Sequence, residues 1–458
     1  MNSIGKRIVR LALMGASLAT NAANGRETKL PDIAIPAQFD SQSQSVTAPT
    51  PAAGWWHVFN DTQLDALITR VHANNTTIAQ ASARLAGARA KARLGTASQM
   101  PQIDLVASAN YASGPLINEA GGSGNLFTDR ATISWEADLL GRVAGERKAE
   151  RFDAVAAEAL LRDAHLLMEV ETARAYFDVL YLQRACGEAD KTITLLGEAA
   201  DIVGRRAELG LVGKLVHDKA ILDLSEARQV GASLAERRAA EFGYLSFLLG
   251  ETQTPTIAVA DLPSAPAIPA GLPSSVLTRR PDIAEAIARF KASDQRFHAA
   301  KQSWLPTLNL TASGGGASAK LVEILASSAR NFGLGALFSL PIFDGGRRKA
   351  EVADRRAELD LAASQYHERV LLALREVNDG LGEVALKRSA VNLATEKLAV
   401  SETNLAYAAN RSANGTLGRA GVLDAELALS TSRVEALIAR REHLSASLSL
   451  IAALGGAW

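Results

Sequence analysis

The side chains able to do chemistry are few in this chain, and they are scattered. Seven histidines (His57, His72, His165, His217, His298, His367 and His443) stand far apart in sequence. None falls in an HExxH-like pair, the spacing that seats zinc on one helix face. A single cysteine, Cys186, excludes an internal disulfide and a thiolate metal cage. It lies in the middle of a helical stretch and reads as a small buried hydrophobe. The string Gly210-Leu211-Val212-Gly213-Lys214 is not a phosphate loop: its spacing is wrong, and Leu215 stands where Ser or Thr is needed. Gly314, Gly315 and Gly316 read as turn material rather than a nucleotide site. No acid, base or metal set converges, so no catalytic residue, metal or cofactor is expected. A fold can still assemble distant residues, so this weakens catalysis without closing the question.

The whole chain agrees with a non-catalytic role. Its 458 residues would ordinarily make about three domains. Hydrophobic residues make up 48% and charged residues 21%, which is an ordered chain with a large core to bury. Lys plus Arg number 49 and so do Asp plus Glu. A neutral chain has no electrostatic hold on nucleic acid, and that class of partner drops out. Residues 1–23 read as a secretory signal: Lys6, Arg7 and Arg10 lead a short apolar run from Leu11 to Ala19, and Ala22 and Ala23 suit cleavage. An uncleaved anchor is the plainer alternative. No later window approaches 18 charge-free apolar residues, so no transmembrane helix is expected in the mature chain. The protein is then periplasmic, secreted, or in the outer membrane as strands.

An internal repeat organises everything after this leader. Shifted by 205 residues, Ser98 and Pro101 meet Ser303 and Pro306, and Gly141 and Arg142 meet Gly346 and Arg347. Arg206, Gly210 and Gly213 meet Arg411, Gly415 and Gly418 in the same frame. Paired Gly, Pro and Arg at one offset mark a duplicated unit, far longer than a solenoid repeat. Each unit reads helix, strand, strand, helix, helix, giving a chain that is mainly α with a small β part.

An extended segment (24–60) precedes the first unit, which spans 61–250. Asn60 or Asp61 caps its first helix, which runs to about Ser98 and stops at Pro101. Strands follow at about 101–113 and 127–139, then long helices at 142–208 and 214–250. A connector rich in Pro, Ala and Thr covers 251–273. The second unit, 274–458, has strands at about 306–314 and 331–342 and helices at 347–413 and 419–455. The strands alternate, with Ile103, Leu105 and Ala107 against Gln102, Asp104 and Ser108, and Phe332, Leu334 and Phe338 against Gly333 and Ser339. This pattern fits a transmembrane barrel with a wet interior. A half-buried soluble sheet gives the same alternation. Each 67-residue helix is free of proline and would reach roughly 100 Å, which asks for a coiled coil or a tube wall.

Four strands cannot close a barrel, and an open edge cannot face lipid. If the strands enter a membrane, several chains share one barrel, and three copies of four strands make twelve, inside the range of outer-membrane barrels. The same copies surround one axis with long helices. The architecture is then a trimeric 12-stranded outer-membrane β-barrel continued by a periplasmic α-helical barrel.

The chain resembles a known family at Gly54 to Ile68 (GWWHVFNDTQLDALI), Ser134 to Arg142 (SWEADLLGR), Leu272 to Ile283 (LPSSVLTRRPDI), Leu340 to Arg348 (LPIFDGGRR) and Gly421 to Leu429 (GVLDAELAL). These strings are similar to those of the outer-membrane factors of tripartite efflux and type I secretion systems, the TolC and OprM group, and most of all its NodT-type branch. The likeness covers nearly the whole mature chain. It implies a homotrimeric channel-tunnel in outer-membrane lipid, docked onto a periplasmic adaptor protein and an inner-membrane transporter. It also favours the barrel over the soluble sheet. Many members of this branch are lipoproteins, and this chain lacks the acceptor Cys after its leader, so the barrel alone would hold it.

Under that resemblance the two helix-to-helix turns, Leu209, Gly210, Gly213 and Lys214 with Gly415, Gly418 and Arg419, are the adaptor-docking candidates. An ordinary glycine stop between antiparallel helices is the plainer reading, and both can hold. Asp424 matches the acidic position of the family's LDA motif, where acids narrow the closed end of the pore and favour cations. A solvated helix carboxylate is its alternative. The family often carries a second acid one turn earlier, where this chain has Gly421. Trp135, Trp304 and Phe343 lie near the strand ends facing the helices and fit either an interfacial aromatic belt or packing below the barrel. Trp55 and Trp56 read as packing residues on the outer surface. The functional expectation is a passive exit duct for small molecules. Polypeptide secretion and a soluble periplasmic coiled-coil scaffold are the alternatives.

Overall fold

The computed structural model describes residues 28–36, 54–113, 122–269, 273–324 and 330–456. The leader read at 1–23 lies outside these residues. In chain order the helices and strands are α1 (Thr62–Asn74), α2 (Thr76–Ala97), β1 (Gln102–Ser113), β2 (Ser123–Ala137), α3 (Arg142–Glu208) and α4 (Lys214–Leu248). They continue as α5 (Pro273–Arg279), α6 (Pro281–Gln302), β3 (Thr307–Ser318), β4 (Arg330–Ser339), α7 (Arg347–Ala413) and α8 (Arg419–Ala453). The pairs α2/α6, β1/β3, α3/α7 and α4/α8 begin and end 205 residues apart, so the offset read in the sequence is also an offset of structure.

Several boundaries differ from the sequence reading, each for a local reason. The first helix is two helices. Asp61 caps α1 by accepting from the Gln63 and Leu64 amides, and Asn75 then interrupts the run. The Asn75 side-chain oxygen accepts from the amides of Thr77 and Ile78, while its Nδ2 donates to the Leu248 carbonyl at 2.7 Å. Trp55–Phe59 forms one 3-10 turn inside the segment expected to be extended. Trp55 is buried in the core rather than on the surface. The chain β3 runs four residues past the expected 314, so Gly314, Gly315 and Gly316 are strand and not turn. A Cβ at Gly315 would lie 2.0 Å from the Asp129 carbonyl oxygen, so only glycine lets β3 close on β2 there. The strand β2 begins at Ser123, earlier than 127, and β4 ends at Ser339 ahead of Pro341, which cannot donate to a ladder. The helices α4 and α8 stop two residues short of 250 and 455, where Gly250 and Gly455 take positive φ.

The chain divides into two compact units. Among the described residues, one comprises those of 28–32, 84–158 and 285–367 and contains the whole sheet. The four strands are antiparallel in the order β1-β2-β3-β4. Register places Ile103, Ile133, Ala312 and Leu334 in one row across all four strands. Trp135, Leu310 and Ala336 form another row on the same face, and Asp104, Thr132, Ser313 and Gly333 lie opposite. One face is thus apolar and the other polar, with Ile103, Leu105, Leu334 and Phe338 all exposed.

The second unit, 33–83, 159–284 and 368–458, holds the larger core. Leu64, Ile68 and Val71 of α1 pack with Tyr176, Phe177 and Leu180 of α3, Leu245 and Leu248 of α4, and Leu444, Leu448 and Ile451 of α8. Buried Cys186 lies on α3. Among the described residues no helix is long and apolar enough to cross a membrane.

Candidate functional sites: the helix turns and the strand ends

The two turns have the same construction. After α3, Gly210 takes φ +71°, its amide reaches the Ala207 carbonyl, and the Leu211 amide reaches Arg206. After α7, Gly415 takes φ +67°, its amide reaches Ser412, and the Thr416 amide reaches Arg411. Both are glycine-capped helix ends in which a left-handed residue turns the chain back onto the last carbonyls. Gly213 and Gly418 then precede α4 and α8 in extended backbone, with no side chain capping either helix.

Their surfaces differ. The first turn presents Leu209, Leu211 and Leu215, each at least 70% exposed, beside exposed Lys214. In the second, Leu417 is half-buried and folds over Gly421, where a Cβ would come within 2.6 Å of its Cδ1. Arg419 is held as well. Its guanidinium donates two bonds of 2.7 Å to Glu198 on α3 and another to Glu426. Those hydrogen bonds push Arg419 above its ordinary range and hold the Glu198 carboxyl below its own. Among the described residues the first turn is therefore the apolar one with an unpaired cation, and in the second the cation braces α8 against α3. Asp424 is exposed on α8, directly after buried Val422 and Leu423.

The three aromatics at the strand ends also have different surroundings. Trp135 donates its indole N–H to the Gln99 carbonyl at 2.9 Å. Trp304 lies under the Arg348 guanidinium, 4.8 Å from ring centre to charge. Phe343 is 90% exposed. Arg348 is buried, bonded to Asp344 at 2.6 Å and to the Pro341 carbonyl at 2.9 Å. The Arg348 hydrogen bond, reinforced by the amides of Arg348 and Gly346, holds Asp344 at about 2. The Phe-Asp-Gly-Gly-Arg string is thus a cap for the start of α7.

The sequence reading expected no convergent metal set, and here the fold revises it. His72 on α1 comes to 4.9 Å, ring centre to ring centre, from His165 on α3. Glu169, one turn beyond His165, faces both. The only sequence signal was the spacing of four between His165 and Glu169.

A second site is built where the Arg-Arg-Pro-Asp-Ile string enters α6. Arg280 is buried and forks onto Asp282 with bonds of 3.0 and 2.8 Å, while its third nitrogen reaches the Ala453 carbonyl and Glu376. Asn75 to Leu248 in the first repeat and Arg280 to Ala453 in the second are the same contact, 205 residues apart.

The chain can now be set beside known proteins. The profile of the family described as outer membrane efflux protein matches residues 67–251 and again 272–456. Over 466 aligned residues the chain is 28% identical to the cation efflux system protein CusC of Escherichia coli O6:H1, covering 98% of this chain and 97% of that one. It is 26% identical to the toluene efflux pump outer membrane protein TtgC of Pseudomonas putida, over 91% of this chain and 88% of that one. The solved structure of the outer-membrane channel OprN superposes with a TM-score of 0.83 at 25% identity, over 95% of this chain and 99% of that one. A duplicated helix–hairpin–helix chain carrying an open antiparallel sheet is the subunit type of an outer-membrane channel. The chain belongs to the outer membrane efflux protein family. It is the outer-membrane component of an efflux system, with its helical part in the periplasm.

Proposed function

We propose that three copies of this chain close a single barrel and form a passive exit duct for small molecules, driven by an inner-membrane transporter through a periplasmic adaptor. The observation that supports the trimer is the sheet: four strands, two open edges, and an exposed apolar face. Such a sheet is stable in lipid only when copies complete one another's edges. Proteins similar to this chain carry cations and toluene by name, so the reading keeps to small molecules as the cargo class.

In this reading the turns dock the adaptor, Leu209, Gly210, Gly213 and Lys214 as the apolar contact and Gly415, Gly418 and Arg419 as the braced partner turn. Trp135, Trp304 and Phe343 sit at the membrane boundary. Asp424 faces the pore, where three symmetric carboxylates repel one another and attract cations. Lys214→Glu should weaken adaptor binding about fivefold, the scale of one exposed ion pair, with assembly unchanged. Pull-down of the adaptor with equal binding would remove Lys214 from the docking surface. Arg419→Glu is a poorer probe, because it places a third carboxylate beside Glu198 and Glu426.

The duct itself is tested by electron microscopy of protein extracted with detergent from outer membranes, followed by planar-bilayer recording. Threefold particles are expected, and Asp424→Ala should raise conductance and reduce cation preference. Protein released by salt or urea as small compact particles would overturn the duct and favour the scaffold. Unchanged conductance and selectivity in Asp424→Ala would return that residue to a solvated helix face.

A further inference from the structure

The cluster on α1 and α3 is the strongest unassigned chemistry among the described residues. His72, His165 and Glu169 each offer one ligand atom, and the three atoms lie within 4.8 Å of one another. His72 stands in the last turn of α1, and His165 and Glu169 sit one turn apart on α3, so all three reach the same gap between two packed helices. The His72 Nε2 is 2.9 Å from Glu169 Oε1. The other carboxylate oxygen, Oε2, accepts the Trp55 indole N–H at 3.0 Å. Trp55 and Glu169 are buried, and both histidines are half-buried, so the gap is open to solvent on one side and walled on the other.

We propose that His72, His165 and Glu169 form a divalent transition-metal site of the zinc type, with water as the fourth ligand. Two imidazoles and one carboxylate with an open position are a zinc donor set. Imidazole nitrogen selects borderline ions over calcium or magnesium, which prefer oxygen ligands. Trp55 supplies what a bare His–Glu contact does not need, a buried donor that fixes the carboxylate with Oε1 toward the histidines. This is the outer-shell support by which metal ligands are oriented. A bound ion replaces the His72–Glu169 hydrogen bond by two coordinate bonds and keeps the Trp55 bond. It would staple α1 to α3, near the entry of the chain into the core. The site is separate from the duct reading and stands whether or not that reading holds.

The test uses the full chain in detergent, titrated with Zn²⁺ by calorimetry and with Co²⁺ as a spectroscopic substitute. One ion per chain is expected, with the visible bands of tetrahedral Co²⁺. His165→Gln should abolish that signal. Trp55→Phe should weaken binding by about 10–100-fold, the usual effect of losing outer-shell support. His367→Gln, an exposed histidine elsewhere in the chain, should change nothing. His72→Gln gives a second ligand variant, and unaltered helical circular dichroism without metal shows that each variant is folded. Absence of saturable Zn²⁺ uptake would overturn the proposal. So would equal uptake by His165→Gln and His72→Gln, which would assign the ion to scattered surface histidines.

Discussion

Arg280→Ala is expected to lower the stability of the helical core by about 3 kcal/mol, the lower end of the range for removing one partner of a buried ion pair. The side chain is 8% exposed and satisfies three acceptors at once: the Asp282 carboxylate, Glu376 and the Ala453 carbonyl. Its removal leaves Asp282 charged and largely buried, and leaves the end of α8 without its donor. Glu376 is 40% exposed at its side chain and can be rehydrated, which is why the lower figure applies. Arg280→Lys should recover only part of the loss, because an ammonium cannot fork onto a carboxylate and reach a carbonyl together. The pair also sets a pH dependence. Burial raises the Asp282 carboxyl, but the hydrogen bond and charge of Arg280 outweigh it and hold the group below its ordinary value of 3.8. A carboxyl depressed in the fold stabilises fully above its unfolded value and loses that contribution as pH falls through the folded one. The wild-type chain should therefore lose this increment below about pH 4, and Arg280→Ala should show a flatter acid limb. Chemical denaturation followed by helical circular dichroism measures both. An unchanged midpoint at neutral pH would mean that water replaces the guanidinium at no cost.

What was legible in the sequence, and what was not, divides by the range of the interaction. The duplication, the long helices and the glycine stops are written locally, in residues that act on their own backbone: Gly210 and Gly415 end helices because they take a positive φ. The strands were legible because alternation is a property of each strand alone. The break at Asn75 was missed because half of its cause is the Leu248 carbonyl, 173 residues away. Gly314 to Gly316 look like a turn by composition, yet they are strand, and at Gly315 the reason is the close approach of the Asp129 backbone on the neighbouring strand. Arg419 reads as an exposed tip cation until Glu198 is brought to it by the packing of α3 on α8. The histidine pair is the clearest case, since His72 and His165 share a site only after α1 lies on α3. Spacing can nominate His165 and Glu169, but only the fold supplies the third ligand.

The sharpest test of membrane residence compares two arginines on adjacent strands. Leu334→Arg puts a cation on the apolar face, in the row shared with Ile103, Ile133 and Ala312. Ser313→Arg puts the same side chain on the opposite face, beside Thr132 and Gly333. In water the two should be near equals, because Leu334 is already 84% exposed in the single chain. In lipid they diverge. A lipid-facing Arg near the bilayer midplane costs about 2–4 kcal/mol in an outer-membrane barrel, whereas a lumen-facing one is solvated. Three copies per barrel would triple the penalty for each assembled particle. The expected result is that Leu334→Arg fails to insert into lipid vesicles and is depleted from the outer membrane, while Ser313→Arg inserts and changes only conductance. Equal insertion of both would mean that the apolar face meets protein instead of lipid, and the strands would then form a sandwich. The opposite pattern, with Ser313→Arg the damaging change, would invert the sheet. It would place Asp104, Thr132 and Ser313 toward the bilayer, which the cost of burying their hydrogen-bonding groups in hydrocarbon forbids.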